Sequence, residues 1–267
     1  MTAFEVAWGA ASHQGAVRDH NEDAWLASPN LFLVADGMGG HARGAAAARA
    51  VVDAFRVAGD QPLTSQRLQE ALQRASRTVS ALQSAGKAPG STVVGVGLTQ
   101  QAGPPCWLVF NVGDSRAYLL RTGQLEQISV DHSRAQELLD AGQRSAAEVN
   151  RNIITRAVGA GTEEIVADQW LVPAAAGDRI LLCSDGLTNE ISDPLIAAGL
   201  LAFTDPKAAA DQLLHSALMA GGRDNITVLV IDAVAVANAE LSDYEDTIED
   251  LGMLVEANDT CLRREVS

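Results

Sequence analysis

The chain has 267 residues, 47% of them hydrophobic, and its 34 acidic against 19 basic side chains give a formal charge of −15. That length and apolar content suffice for one large globular domain, while the charge opposes binding to nucleic acid or to an anionic lipid surface. The N-terminus lacks a basic region followed by a long apolar run, no stretch reaches the roughly 20 apolar residues needed to cross a bilayer, and Cys106, Cys183 and Cys261 form no CxxC pair, so a reducing, cytoplasmic location without membrane insertion is expected.

In chain order, apolar or alternating runs predict strands at residues 5–11, 23–28, 30–36, 91–100, 106–114, 116–121, 125–129, 178–185 and 225–234, with Arg-Thr-Gly-Gln at 121–124 as a turn between two of them. Helical spacing with Ala, Leu, Gln and Arg predicts helices at 42–58, 65–84, 193–202 and 206–220. The order lacks the strict strand-helix alternation of a doubly wound sheet, so a layered α+β sandwich is expected. Residues 134–150 are polar and partly helical in pattern, as in a surface flap. From Asp232 onward ten acids and two arginines concentrate about half the net charge in 36 residues. A catalytic domain over 1–237 and an acidic tail over 238–267 follow; the tail is either disordered or loosely docked. Tyr244, Ile248 and Leu251 have the i, i+4, i+7 spacing a short docking helix would use.

Three apolar runs deliver an Asp flanked by Gly: VADG at 34–37, NVGDS at 111–115 and LCSDG at 182–186. Asp224 in GGRDNIT precedes the last strand, and Glu22-Asp23 in VRDHNED precedes an early one. Each alone is ordinary turn chemistry. If the strand ends of a sandwich share one rim, however, several carboxylates meet there and repel unless cations neutralise them. An oxygen-only donor set suits Mg²⁺ or Mn²⁺ rather than zinc. Two such ions about 4 Å apart activate water and clamp a phosphoryl oxygen, so hydrolysis of a phosphate ester is the expected chemistry. Arg18, five residues before Asp23, offers a guanidinium fork for a phosphate dianion.

VRDHNED (17–23), LVADGMGGH (33–41), GSTVVGVGL (90–98), VGDSRAY (112–118), DHS (131–133), RNIITRAVG (151–159), LLCSDGLTNEI (181–191) and GGRDNITVLVI (221–231) resemble, in order, the motif series of the bacterial metal-dependent PP2C-type (PPM) protein serine/threonine phosphatases. The resemblance spans about residues 5–233. It implies a four-layer αββα sandwich, two antiparallel sheets flanked by helix pairs, with a metal centre at one end. It also implies that Asp36 bridges two Mn²⁺ or Mg²⁺ ions with the Gly37 carbonyl as a ligand, and that Asp185 and Asp224 hold the first ion. Glu22 then holds the second ion directly or through water, Asp23 stands behind it, and Arg18 binds phosphate. Asp114 with Asp185 is similar to the pair that binds a third, weaker ion, and 134–150 corresponds to a flap that influences substrate choice.

Two departures from the animal branch of that family matter. Met38 stands where that branch has a candidate acid, which leaves His41 as the nearest imidazole, either to protonate the leaving oxygen directly or through water, or only to hold the loop or stand exposed. Asn189 stands where it has an acid four residues after Asp185. The expected mechanism is direct attack on phosphorus by a water bridging two ions, without a phosphoenzyme; Cys183 lacks the CxxxxxR loop of a cysteine phosphatase. The expected partners are phosphorylated proteins and a cognate Ser/Thr kinase, with the enzyme a monomer. A two-metal phosphodiesterase or nuclease and a degenerate phosphoprotein-binding module are the competing readings. The net charge opposes a nucleic-acid substrate for the first, and retention of Asp36, Asp185 and Asp224 opposes the second.

Overall fold

Runs of alternating or continuous apolar residues build two antiparallel sheets in the computed structural model, which describes residues 4–40, 42–82, 88–100, 104–142, 153–159 and 165–236. His41, the distal part of the expected flap and the acidic tail with Tyr244, Ile248 and Leu251 lie outside the described residues. One sheet has the order β1 (Phe4–His13), β11 (Ile226–Val236), β10 (Arg179–Cys183), β7 (Arg116–Arg121) and β8 (Gln124–Gln127). The other runs β2 (Asp23–Ser28), β3 (Leu31–Met38), β5 (Val93–Gln100), β6 (Pro105–Val112) and β9 (Asp168–Pro173), with β4 (Gly90–Ser91) paired to the end of β3.

The four layers follow from burial on both faces of the central strands. Phe32, Val34, Val94, Trp107, Ile180 and Leu229 meet between the sheets. Their neighbours in sequence point outward: Leu31, Leu33 and Phe110 pack under α1 (Ala42–Arg56) and α2 (Ser65–Ala81). On the opposite side Leu181, Val228 and Val230 pack under α5 (Asp193–Ala202) and α6 (Pro206–Ala220). A strand buried on both faces reads as a continuous apolar run, which is why NLFLVAD and ITVLVI stand out in the sequence. The αββα sandwich implied by the resemblance is the architecture observed.

Several boundaries differ from expectation. β9 was not predicted: DQWLVP has only three apolar residues before a proline, and as an edge strand it is half exposed along most of its length. The strand expected at 125–129 is β8 at Gln124–Gln127, because the two-residue turn at Thr122 and Gly123 pairs Arg121 directly with Gln124. Its ladder stops where the Ile128 and Ser129 N–H groups both turn to the Ala117 carbonyl. The helix expected to reach 58 ends at Arg56 and tightens into a 3₁₀ turn over Val57–Asp60. There Gly59 packs so closely on Ser28 that a side chain would collide with its hydroxyl. The composition break at Asp232 falls inside β11, where Asp232 is paired with Arg179 at 2.6 Å. In the flap, α3 (Arg134–Asp140) is capped by the Ser133 hydroxyl, and a bridge between Ser133 and Ile154 closes the stem. Among the described residues no helix is long and apolar enough to cross a membrane.

Candidate metal centre

Antiparallel pairing puts the acids at one end of the sandwich. β3 carries Asp36 into register with Asp23, the first residue of β2. β10 ends at Cys183 and runs through Ser184 into the short helix α4 (Asp185–Thr188), while its neighbour β11 begins two residues after Asp224. Asp114 lies in the turn from β6 to β7, next to the register pair of Arg116 with Cys183. The loop after β1 brings in Arg18 and Glu22.

A polar scaffold holds these groups. The Asp36 N–H donates to Thr92 Oγ1 at 3.0 Å and the Thr92 N–H returns a bond to the Asp36 carbonyl at 2.9 Å. The Thr92 and Ser115 hydroxyls are 2.8 Å apart, tying the end of β3 to the turn that holds Asp114. The Ser184 hydroxyl donates to Asp23 Oδ2 at 2.8 Å and accepts the Thr227 N–H at 2.9 Å, so Asp23 is fastened to the opposite sheet. Asn225 accepts the Glu22 N–H at 2.8 Å and donates to the carbonyls of Gln14 and His20, both at 2.9 Å, which shapes the loop that includes Arg18. Asn189 Nδ2 donates to Asp185 Oδ2 at 3.0 Å. Arg18 Nη2 donates to Asp224 Oδ2 at 2.7 Å.

Electrostatics mark the cluster. Burial first, and then the neighbouring Asp23, Asp185, Asp114 and Asp224, push the Asp36 carboxyl well above its usual range. Burial is also the main reason that Asp23 and Asp114 are each pushed up to about 7; among the neighbouring charges Asp185 acts on both. Asp185 is raised by burial and then by Asp224, against a hydrogen bond with Asp36. Asp23 Oδ1 and Asp114 Oδ1 are buried without a hydrogen-bond partner. Carboxylates that repel one another and leave lone pairs unused fit a divalent cation, which would neutralise the charge and take up the free oxygens. Gly44 completes the fit: a Cβ there would collide with the Glu22 carboxylate and stand 2.9 Å from the Gly37 carbonyl oxygen, so the missing side chain leaves both oxygens room. Among the described residues no three Asp, Glu, His or Cys side chains already close round one point. The donors form an open rim instead, as a site that must also admit water and substrate requires.

Arg18, Glu22, Asp36, Gly37, Asp185 and Asp224 line one cavity of about 390 Å³, together with Met38 and Ile154 from the flap stem. Asp23 and Asp114 stand behind it. Thr92, Ser184, Asn225 and Gly44 were not singled out from sequence. The signal was available for two of them, since LCSDG and GGRDN each place a small polar residue beside an Asp where an apolar run ends or begins, whereas Thr92 in STVV only opens an apolar run. Gly44, in an alanine-rich helix, gave none. His132, in the DHS motif, accepts the Gly113 N–H through Nδ1 at 3.0 Å and lies 3.1 Å from Asp168 through Nε2, locking the base of the flap to the Asp114 turn.

Fold, strand-end carboxylates and arginine together make a centre whose donors suit divalent cations and a phosphate oxyanion. Residues 11–218 match the family model described as Protein phosphatase 2C, and the chain belongs to that family. It is 38% identical over 235 residues to the serine/threonine protein phosphatase PstP of Mycobacterium tuberculosis, covering 85% of this chain and 45% of PstP, so it spans about half the length of that relative. The serine/threonine phosphatase stp of Listeria monocytogenes is 33% identical over 238 residues, covering 82% of this chain and 92% of stp. The crystal structure of the PstP catalytic domain in complex with 2 manganese ions superposes with a TM-score of 0.77 at 34% identity, covering 86% of this chain and 99% of that one.

Proposed function

We propose that the chain hydrolyses phosphoserine and phosphothreonine in proteins with Mn²⁺ or Mg²⁺, reversing the work of a Ser/Thr kinase, through a catalytic domain at 1–237. The observation that carries this reading is the single cavity in which Asp36, Asp185, Asp224, Glu22 and the Gly37 carbonyl face Arg18. Family membership and the two manganese ions of the PstP complex support it.

Two divalent ions supply Lewis acidity and a water activated near neutral pH. The residues of the chain do the rest. Asp36 and the Gly37 carbonyl would serve both ions, Asp185 and Asp224 would hold one of them, and Glu22 would hold the other. Asp23, oriented by Ser184, fixes the charge behind Asp36. Asp114 with Asp185 offers a weaker third position, and Asn189 already occupies one Asp185 oxygen. Arg18, paired with Asp224 in this structure, would turn to the phosphoryl oxygens and offset their charge once Asp224 served as a metal ligand. The leaving oxygen requires a proton, and His41 is the imidazole nearest in sequence to Asp36.

Hydrolysis of p-nitrophenyl phosphate and of a phosphothreonine peptide tests this directly. Activity is expected with Mn²⁺, is abolished by EDTA, and falls by about 10²-fold or more in Asp36→Asn, as loss of a group acting on the transition state does. Turnover that survives both EDTA and the substitution would overturn the proposal.

A further inference from the structure

A cavity of about 780 Å³, distinct from the carboxylate site, is an outer groove between α1 and α2. Its floor is made by half-buried Ala46, Ala50 and Ala54, its far mouth by Val57, which is 73% exposed, and its walls by Arg49 and Arg74. Asp53 lines the groove as well, but arginine outnumbers acid along the two helices. Residues 42–82 contain six arginines against three acids in a chain whose net charge is −15.

The same chain contains a segment of matching chemistry. Tyr244, Ile248, Leu251 and Val255 fall on one helical face, flanked by Glu245, Asp246, Glu249 and Asp250, and no basic residue occurs between Ala237 and Thr260. A helix over 244–255 is about 17 Å long, shorter than the roughly 21 Å of α1 from Ala42 to Arg56. The tail also starts at the correct end of the sandwich. Val236 pairs with Phe4, whose ring is 5.2 Å from Trp107. Trp107 pairs with Leu98; the Leu98 N–H donates to the Asn30 carbonyl and Asn30 Nδ2 to the Gly59 carbonyl, beside Val57. The seven residues from Ala237 to Asp243 reach about 24 Å when extended, enough to cross two layer spacings of about 10 Å each.

We propose that the segment 244–255 docks as a helix in the α1–α2 groove of its own chain, apolar face down and acids toward Arg49 and Arg74. The far end of that helix then lies near Ala42, at the N-terminus of α1, just after the end of β3 that carries Asp36. A short tether gives an effective concentration of about 1 mM, so even a contact with a dissociation constant of about 0.1 mM is populated roughly tenfold over the open state.

The rate of alkylation of a thiol introduced by Ala50→Cys in the full chain, followed by peptide mass spectrometry, tests this. The expected result is labelling about tenfold slower than in the same chain also carrying Ile248→Glu and Leu251→Glu, with most of the protection lost in Arg49→Glu. Equal rates with and without the tail substitutions overturn the proposal. Protection that grows with protein concentration assigns the groove to a second copy and overturns it equally. If Ala50→Cys fails to fold, Thr78→Cys on the α2 wall gives the same readout.

Discussion

At the residue scale the site depends on hydroxyls as much as on carboxylates. Ser184 is buried and saturated, giving its proton to Asp23 and accepting the Thr227 N–H. Ser184→Ala removes the donor that orients Asp23 and leaves a backbone N–H unpaired. Outer groups of this kind are worth about 10- to 100-fold in metal affinity, and that loss is expected in a calorimetric Mn²⁺ titration. A variant that melts earlier but binds Mn²⁺ as tightly would make Ser184 a purely structural hydroxyl. The acids were legible one by one because an apolar run ending in Asp-Gly is a local pattern. Ser184 was not, because its partners lie 161 and 43 positions away.

At the element scale, local rules set most of the helices and strands, and tertiary pairing set their ends. α5 and α6 begin and end where sequence places them, each with proline in its first turn. β9 was invisible because an edge strand needs only one buried face, and its pairing with β6 rather than its own composition makes it a strand. The β7–β8 hairpin turns through Thr122 at φ 50 and Gly123 at φ 80, a two-residue turn with both central residues left-handed. A β-branched residue is strained there, whereas Asn tolerates that conformation. Thr122→Asn is therefore expected to stabilise the chain by about 1 kcal/mol, raising the melting temperature by roughly 2–4 °C, as calorimetry would read. A lower melting temperature would show that the Thr122 hydroxyl bond to the Arg121 carbonyl, 2.8 Å, outweighs the strain.

At the scale of the whole molecule the sandwich gathers charge that it does not neutralise by itself. Asp23 and Asp114 are pushed up to about 7, and Asp36 and Asp185 are raised as well, each chiefly by burial. A carboxyl raised above its unfolded value favours the folded state fully below about pH 4, and that contribution is lost as pH climbs through about 7. A divalent ion binds the deprotonated form and reverses the loss. The gain in melting temperature from Mn²⁺ over EDTA should therefore grow from about pH 5.5 to about pH 8. A gain that stays constant across that range would mean that the ion binds elsewhere.

The sequence alone determined the family, through its motif series, and a layered sandwich, and it singled out the acids as candidates, because each is written in residues a few positions apart: alternation, turn glycines, and Asp at the end of an apolar run. Tertiary structure decided what those acids meet. Register brought Asp36 beside Asp23, the adjacency of β10 and β11 brought Asp185 near Asp224, and Arg18 found its carboxylate 206 positions along the chain. Burial, repulsion and hydrogen-bond geometry belong to pairs of groups rather than to single residues, so they exist only once the chain has folded.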